Sequence, residues 1–410
     1  MKGKMKRVLI ETQSNKIFRG LESEQDYDQR GGLCQVGEGD IIIVTNSIDP
    51  NFLNYWKSLG FSLPEIIVAG PFDKNLTLSQ LIISKEKVVE KIHSTIGDSD
   101  SRLEFFWIEE SERDVARMLG IKPYCNFDVS LNLACKHAFK KLCEMLGLKT
   151  APWVGASSSG ELVEVTKNFF DANQGVLIKA SNGTGGTSLG CIRKIMTHDD
   201  LVKNIELVSS MLTPLVAEKM LDIMAEVSIH WEINDNGEVT IIDIFDQLAC
   251  DFSYVGTAYP SILDSNFKDK ITFDLVNKFA PYLLKLNAKG YFCCDILIDY
   301  NGDVFWTDFN PRKGAIIYVY DMVKRLAKIH FAKSQKYYFW HEHFTINKGL
   351  CFKDIYNILS DILVPSNKQS FIVVTNPGII RHGGLDLTGI SLTSREEAKI
   401  ILKEAQGRLA

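Results

Sequence analysis

The residues of this sequence best suited to chemistry include a lysine followed by a glycine-rich loop. The segment from Gly175 to Gly190 reads GVLIKASNGTGGTSLG, with Lys179 just before the glycines. Glycine lets backbone amides approach a ligand closely, and hydroxyl groups add hydrogen-bond donors. The pattern predicts a strand, a loop and a second strand, with a loop that suits an anion such as phosphate. The loop residues of interest are Ser181, Gly183, Thr184, Gly185, Gly186 and Thr187.

The spacing of these glycines excludes two common phosphate-binding motifs. It does not fit the dinucleotide-binding fingerprint, and no Gly-Lys-Ser/Thr closes it as in a P-loop. A short glycine pattern is also found at the tip of an ordinary hairpin, so both interpretations stay open at this point. The other polar residues must decide between them.

A second group of polar residues lies in Gly290–Arg312, GYFCCDILIDYNGDVFWTDFNPR, which predicts a hairpin that turns at Asn301-Gly302. Asp295 is on its first strand. Asp308 and Asn310 are two residues apart on the second strand, so their side chains point to the same face. Oxygen ligands there suit Mg²⁺, which binds one or two carboxylates, water and nucleotide phosphates. Asp308 could instead cap a turn, but the desolvation cost of three clustered oxygen ligands favours the metal interpretation.

Two lysines precede this hairpin in the sequence. Lys179 ends an apolar strand, and a lysine in such a place needs an anionic partner. Lys136 lies on a helix predicted over Ser130–Leu146, which Gly147 ends. Because a single helical lysine is usually solvated, a role for Lys136 depends on the other residues.

Composition and charge exclude several classes of protein. A chain of 410 residues is too long for one ordinary core, which predicts about two to four domains. Hydrophobic residues at 45% and charged residues at 24% are typical of soluble globular proteins. The formal net charge of −5 gives no general attraction for nucleic acid or an anionic membrane, so neither is a predicted partner.

The N-terminal sequence and the cysteines predict a cytoplasmic protein. Only a three-residue apolar run precedes Glu11, far less than a signal peptide needs, and no later segment approaches the length of a membrane span. The nine cysteines include no Cys-x-x-Cys pair, which predicts reduced thiols rather than disulfides or a zinc site. Cys293 and Cys294 are accordingly predicted to be inert packing.

The first 126 residues alternate apolar and helical segments, which predicts an α/β layer with a largely parallel sheet. Asp26, Asp28 and Arg30 precede Gly31-Gly32, and we expect them in a solvated loop. The predicted strands and helices of the chain, beyond those given above, are strands Arg7–Glu11, Asp40–Thr45, Glu65–Ala69, Leu103–Ile108, Cys191–Ile195 and Glu226–Ile233, and helices Asn51–Leu59, Thr77–Ile96, Glu161–Ala172 and His198–Val208.

In identity and order these residues resemble the ATP-grasp superfamily over about 127–320. The resemblance implies ATP held between two α+β lobes, with Lys136 and Lys179 on phosphate oxygens and the glycine loop as a lid. It implies Mg²⁺, or alternatively Mn²⁺, as the metal and Arg312 as the catalytic residue that stabilises developing charge. The implied adenine contacts are Glu218, Lys219, Met220 and Leu221, the implied ribose contact is Glu226, and the implied metal ligands are Asp295, Asp308 and Asn310.

The resemblance also implies a division of the chain. The fold class would be a pre-ATP-grasp α/β domain followed by a two-lobed ATP-grasp fold with a glycine-rich lid loop. The implied domains are a pre-ATP-grasp domain at 1–126, an N-terminal lobe with the lid at 127–213, a C-terminal lobe with the metal site at 214–345, and an extension completing the catalytic lobe at 346–410.

Two positions depart from the pattern of the superfamily. Asp308 stands where many relatives have glutamate, and Cys294 stands where several carboxylate ligases have a basic residue. The DFNPRKG segment and the Arg-His-Gly-Gly of Arg381–Gly384 are most similar to an antibiotic-biosynthesis subgroup. That subgroup includes the pheganomycin-type peptide ligase and the butirosin-type ligase that loads glutamate onto an acyl carrier protein.

The chemistry implied by the resemblance is the activation of an amino-acid carboxylate, such as that of L-glutamate, as an acyl phosphate. An acyl-carrier-protein thiol or an amine would then accept the acyl group. A basic rim for a carrier protein is expected from Lys313, Lys324, Arg325, Lys328 and Lys333. Homodimer formation stays open.

Three other functions compete with this one. They are a ligase that joins free amino acids or peptides by an amide bond, a nucleotide-binding scaffold without turnover, and a biotin-dependent carboxylase subunit. A scaffold predicts lost metal ligands or phosphate lysines, whereas the sequence retains all of them. The different leading domain and the lack of an evident biotin-carrier segment argue against the carboxylase.

Overall fold

The computed structural model describes residues 5–11, 21–170, 175–181, 192–211, 213–332, 336–363 and 368–410. The predicted lid residues Gly183–Gly190, and Lys333 of the expected basic rim, lie outside these ranges. Within them, no helix is long and apolar enough to cross a membrane.

The β-strands are numbered here in chain order. They are β1 Lys6–Ile10, β2 Ile41–Val44, β3 Glu65–Val68, β4 Ser101–Phe105, β5 Lys122–Pro123, β6 Trp153–Ala156, β7 Val176–Ala180, β8 Ile192–Ile195, β9 Leu215–Lys219, β10 Ile223–Ile233, β11 Val239–Cys250, β12 Ser253–Tyr259, β13 Gly290–Asp299, β14 Val304–Asn310, β15 Tyr338–Thr345, β16 Ser370–Val374 and β17 Gly384–Ser391.

The α-helices are numbered in the same way, and a π-helical turn and a 3₁₀ turn add to them. They are α1 Glu22–Gln25, α2 Asp28–Gln35, α3 Pro50–Ser58, α4 Leu78–Ile83, α5 Glu86–Ile96, α6 Glu110–Leu119, α7 Phe127–Leu133, α8 Lys136–Leu146, α9 Ser159–Val165, α10 His198–Lys203, α11 Ile205–Ser209, α12 Ser265–Asp274, α13 Ala280–Lys285, α14 Ala315–His330, α15 Phe352–Leu359 and α16 Arg395–Leu409, with the π-helical turn at Leu275–Phe279 and the 3₁₀ turn at Ile380–His382.

The chain forms two compact units. Unit 1 comprises residues 1–127, 256–260 and 312–410, and unit 2 comprises residues 128–255 and 261–311. The domain bounds implied by the resemblance, at 126, 213 and 345, stay predictions.

Unit 1 contains the parallel sheet that the sequence predicts for its first 126 residues. The strand order is β3-β2-β1-β4-β5, and every pairing is parallel. Val8, Leu9 and Ile10 of its central strand β1 are buried, as expected when helices cover both faces of a parallel sheet. The strands β15, β17 and β16 form antiparallel pairs in the same unit, and residues 256–259 of β12 pair with β15.

Unit 2 contains two antiparallel arrangements. One has the order β6-β9-β7-β8, and the other has the order β14-β13-β10-β11. Alternation along β10 buries Val227, Ile229 and Trp231 in an aromatic core, where Trp231 stacks on Phe309. The opposite face of β10 therefore carries Glu226, Ser228 and His230. This polar face is where the chemistry is expected.

Several predicted elements differ from the observed ones. The hairpin at Asn301-Gly302 is confirmed, and the predicted helix Asn51–Leu59 is observed as α3, where the Asp49 side chain accepts a hydrogen bond from the Asn51 N–H. The predicted helix Thr77–Ile96 is divided at Lys85, whose Nζ donates to the carbonyls of Ala69 and Gly70. The predicted helices Ser130–Leu146 and His198–Val208 are each divided into two as well.

The expectation of a solvated loop at Asp26–Arg30 is wrong. Asp26, Asp28 and Arg30 are buried, and the latter two lie on α2. Asp26 accepts hydrogen bonds from Arg381 and His382, and Arg30 forms an ion pair with Asp386. These partners lie far away in the sequence, so the local pattern does not indicate them.

Candidate active site

The predicted phosphate lysine Lys179 forms a buried ion pair in unit 2. It lies near the end of β7, and its Nζ is 3.0 Å from Glu218 Oε2 on the neighbouring strand β9. Burial would lower the pKa of Lys179, but Glu218 and Asp308 outweigh it and raise that pKa. Lys179 is therefore protonated, as phosphate binding requires.

Lys136, the second predicted phosphate lysine, is paired with a predicted metal ligand. Its Nζ lies 3.5 Å from Asp308 Oδ2. Burial would raise the pKa of Asp308, but Lys136, Lys179 and Lys140 outweigh it and lower that pKa. Asp308 is therefore a carboxylate at neutral pH.

The N-terminus of α8, which carries Lys136, is fixed by Ser181. The backbone N–H of Lys136 donates to the Ser181 carbonyl, and that of His137 donates to Ser181 Oγ (2.9 Å). This capping begins α8 at Lys136 and explains why the predicted longer helix is divided. Ser181 is fully buried in this role, and its predicted contact with a nucleotide stays a prediction.

The three predicted metal ligands lie on adjacent strands. Asp308 is opposite Asp295 in the β13–β14 register, and Asn310 Nδ2 donates to Asp295 Oδ2 (3.3 Å). Gln247 Nε2 donates to Asp295 Oδ1 (2.6 Å). Among the described residues, Asp308 Oδ1 is buried without a hydrogen-bond partner.

The donor set fits Mg²⁺. An orphaned carboxylate oxygen beside a second carboxylate and an amide oxygen matches the small number of protein ligands that Mg²⁺ takes when phosphates supply the rest. Within the described ranges, no group of three or more His, Cys, Asp or Glu side chains could hold a metal alone.

Glu226 lies on the polar face of β10, two residues before Ser228. It pairs in register with Leu297, while Ser228 pairs with Asp295. Burial and the charge of Asp295 raise the pKa of Glu226 to about 7. Its predicted contact with ribose hydroxyls stays a prediction.

The predicted adenine contacts lie at the end of β9. The side-chain oxygens of Glu218 both face lysines, and the backbone N–H groups of Lys219 and Met220 donate to Pro152 and Gly175 carbonyls. The Lys219 ammonium lies over the Phe169 ring, and Leu221 is partly buried after the strand. Their contact with a nucleotide stays a prediction, as do the roles of Gly183, Thr184, Gly185, Gly186 and Thr187, which lie outside the described residues.

Arg312, the predicted catalytic residue, belongs to unit 1. Its guanidinium lies over the rings of Phe106 and Trp107, with centroid distances of 4.7 and 4.9 Å. Its Nη1 donates to the carbonyl of Lys313 (2.9 Å). Stacking on two rings holds the planar guanidinium in a defined orientation.

The expected basic rim is contradicted at Lys313, and Arg325 is partly buried. Lys313 is buried, and its Nζ lies 2.7 Å from both Glu11 and Glu104. Arg325 donates to the carbonyls of Leu33 and Cys34. Lysines and arginines that are close in the sequence therefore do not by themselves predict an exposed basic patch. Carboxylates and carbonyls that are distant in the sequence can bind their side chains and reduce their exposure.

Sequence reasoning missed two residues of the site. Lys140 is fully buried and lies 2.9 Å from Glu218 Oε1, and Gln247 holds Asp295. The only signal for Lys140 is its position four residues after Lys136, on the same face of a helix. Nothing in the local sequence marks Gln247.

Comparisons with known proteins agree with this architecture. Residues 32–121 match the family model described as the Pre ATP-grasp domain. No curated protein is significantly similar in sequence to this chain. Three similar solved structures are biotin carboxylase from Campylobacter jejuni (13% identity, 99% of this chain and 92% of that one, TM-score 0.64), N5-carboxyaminoimidazole synthetase from Staphylococcus aureus (13%, 99% and 97%, 0.58), and carboxyaminoimidazole ribonucleotide synthase from Aspergillus clavatus complexed with ATP (10%, 100% and 99%, 0.60).

The predicted fold class is thereby confirmed, apart from its lid loop, which lies outside the described residues. The matched pre-ATP-grasp segment contains strands β2, β3 and β4 of the parallel sheet. The similarity to the solved structures above extends over nearly the whole chain. The fold of this chain is a pre-ATP-grasp domain joined to an ATP-grasp fold.

Proposed function

We propose that this chain is an ATP-dependent ligase of the ATP-grasp type, which activates a carboxylate as an acyl phosphate. The observation that supports the proposal most directly is a pair of lysine–carboxylate ion pairs in unit 2. Lys179 pairs with Glu218, and Lys136 pairs with Asp308. Such an arrangement offers positive charge to phosphates and oxygen ligands to a cation. The proteins with this fold named above include one whose structure contains ATP.

Each residue of the site has a proposed role in the first step, the transfer of the γ-phosphoryl group from ATP. Lys136 and Lys179 would bind phosphate oxygens and neutralise their charge, and Glu226 would orient the ribose. Asp295, Asp308 and Asn310 would hold Mg²⁺, which when bound neutralises phosphate charge and aligns the γ-phosphoryl group. Arg312, held on Phe106 and Trp107, would stabilise developing negative charge.

The proposed reaction has two steps. A carboxylate oxygen of the first substrate attacks the γ-phosphorus, the bond to the β-phosphate oxygen breaks, and ADP leaves. A nucleophile then attacks the acyl carbon, a proton is lost from the nucleophile, and inorganic phosphate leaves. The protein contributes positioning and charge and forms no covalent intermediate itself.

The first substrate is proposed to be an amino-acid carboxylate, with L-glutamate as the first candidate, in antibiotic biosynthesis. The similarity of DFNPRKG and Arg381–Gly384 to the antibiotic-biosynthesis subgroup supports this assignment. An amine and a carrier-protein thiol are the two candidate acceptors. The burial of Lys313 removes one member of the expected carrier rim, and the carbonyl contacts of Arg325 restrict a second, which favours the amine.

The test is a direct search for product. The protein would be incubated with ATP, Mg²⁺ and a panel of amino acids, with and without an acyl carrier protein, while ADP and product mass are followed. We expect ADP release that depends on one amino acid and yields an amide. A product formed only on the carrier protein would establish the thiol alternative. The absence of ATP binding by the folded protein would overturn the proposal.

A further inference from the structure

Two of the three lysines of helix α8, Lys136 and Lys140, differ in exposure. Lys136 and Lys140 are one turn apart, so they lie on the same face of the helix. Lys136 keeps 12% of its side-chain surface exposed, whereas Lys140 is fully buried. The ammonium of Lys140 can therefore interact only with other protein groups, and a buried charge of this kind needs a compensating partner.

The partner of Lys140 is Glu218, which it shares with Lys179. Glu218 Oε1 lies 2.9 Å from Lys140 Nζ, and Glu218 Oε2 lies 3.0 Å from Lys179 Nζ. All three side chains are at least 95% buried. One carboxylate thus lies between two ammonium groups, which leaves a net charge of +1 on the triad.

A buried lysine with a single carboxylate partner would be a poor phosphate ligand. The attraction between two charges is strong in a low-dielectric interior, so a phosphate would have to compete with Glu218 for Lys179. Separating Lys179 from Glu218 would also leave the carboxylate buried and uncompensated. The charge of Lys140 removes this second cost, because Glu218 keeps a cation when Lys179 turns to a phosphate.

We propose that Lys140 is a positioning residue, the permanent counter-ion of Glu218 that makes the charge of Lys179 available to nucleotide phosphates. This inference rests on the proposed function, since it assumes that Lys179 binds ATP. The lowered pKa of Glu218, in which Lys140 and Lys179 overcome the effect of burial, agrees with it. Lys140 itself touches neither substrate in this assignment.

The test is a set of variants whose affinity for ATP is measured by calorimetry with Mg²⁺ present. Lys140→Met keeps the length of the side chain and removes its charge, so Lys179 should stay on Glu218 and ATP should bind about tenfold more weakly, or weaker still. Lys140→Arg should bind ATP nearly as wild type does. Lys141→Met is the matched control, because Lys141 is the exposed neighbour on the same helix and should have no effect.

The charge-keeping variant separates this role from simple structural support. Lys140→Arg keeps the positive charge on a side chain of different shape, so it should retain the affinity for ATP that Lys140→Met loses, even if its thermal stability differs from that of wild type. Thermal unfolding without nucleotide shows whether each variant is folded. If Lys140→Met does not fold, Lys140→Gln takes its place, and the same loss of affinity is expected of it.

The outcomes distinguish the two proposals. Wild-type protein that does not bind ATP refutes the proposed function, whatever the variants do. Wild-type binding with an unchanged affinity in Lys140→Met overturns the role of Lys140 alone. A Lys140→Arg variant that binds as weakly as the uncharged variant also overturns it, because retention of the charge would then have no effect.

Discussion

At the scale of single residues, the site in unit 2 is a set of charges that are already paired. Lys179 and Lys140 face Glu218, and Lys136 faces Asp308. Buried charges are stable in a protein only when other charges or hydrogen bonds compensate them. Asp308 Oδ1, in contrast, is buried without a hydrogen-bond partner, and a cation would supply its missing contact.

Asp308→Asn should therefore reduce ADP formation by about 100-fold or more, because it removes one negative charge from the cation site. Fold should be retained, since the amide has the same shape. Initial rates of ADP release at saturating ATP and Mg²⁺ check this prediction. Asp303→Asn is the control: Asp303 lies before the same strand and pairs with Lys149 at the surface. Equal rates in the two variants would refute the assignment of Asp308.

The sequence predicts the burial and orientation of a site residue when the adjacent residues show a clear apolar or alternating pattern. Lys179 follows three apolar residues, and Asp308 and Asn310 alternate on a strand, so their burial and shared face can be inferred. Lys140 has no such signal, because most helical lysines are solvated and its counter-ion lies on β9. Such a pair becomes visible only when distant elements pack together.

At the scale of elements, the segment Arg381–Gly384 has a structural role in unit 1. Arg381 and His382 bind Asp26 on the N-terminal part of the chain. Gly383 has a φ of +83°, and a Cβ on Gly384 would lie 3.0 Å from the His343 ring. The Arg-His-Gly-Gly segment therefore forms a turn, and its arginine and histidine bind the buried carboxylate of Asp26. Asp26 is 355 residues away from Arg381 in the sequence.

Arg381→Ala should lower the free energy of unfolding by about 2–3 kcal/mol, because Asp26 would stay buried with fewer donors. Urea unfolding at neutral pH, followed by circular dichroism, checks this value. Glu22→Gln is the control, since Glu22 is the half-exposed second partner of Arg381 and should contribute less than about 1 kcal/mol. Equal effects of the two substitutions would contradict the importance of the buried acid.

Helix α6 provides a pH-dependent prediction. Glu112 is buried, and burial raises its pKa from 4.5 to about 7, although hydrogen bonds from the Glu109 backbone N–H and the Ser111 hydroxyl oppose the change. A carboxyl group with a raised pKa is destabilising once it ionises, so stability present below pH 4.5 is lost as the pH rises to about 7.

Glu112→Gln should remove this loss. The amide keeps the capping box at the start of α6 and has no charge to bury. The variant should match wild type at pH 4.5 and exceed it above pH 7 by up to about 3 kcal/mol in the free energy of unfolding. Urea titrations at several pH values check the trend. Glu110→Gln, at an exposed position of the same helix, should show none of it.

At the scale of the whole molecule, the sequence predicts the order of elements better than their partners. The parallel sheet follows from alternating strands and helices, whereas the association of residues 312–410 with the N-terminal sheet depends on contacts such as Lys313 to Glu11, 302 residues apart. A period of two or 3.6 residues says which face is buried. It does not say which distant segment covers that face.

The two units allow a last prediction, in which ATP and Mg²⁺ slow amide hydrogen exchange most strongly in unit 2. A ligand that binds only the folded state adds about 2.7 kcal/mol of stability at 100 times its dissociation constant. Amide exchange should slow in elements whose local unfolding requires the ligand to dissociate. These are α8, β7, β9 and the β13–β14 hairpin, because they carry the paired lysines and carboxylates. Mass spectrometry of peptides checks this, with Asp308→Asn as the control that should gain less protection. Protection confined to β1–β5 would place the nucleotide elsewhere and refute the site.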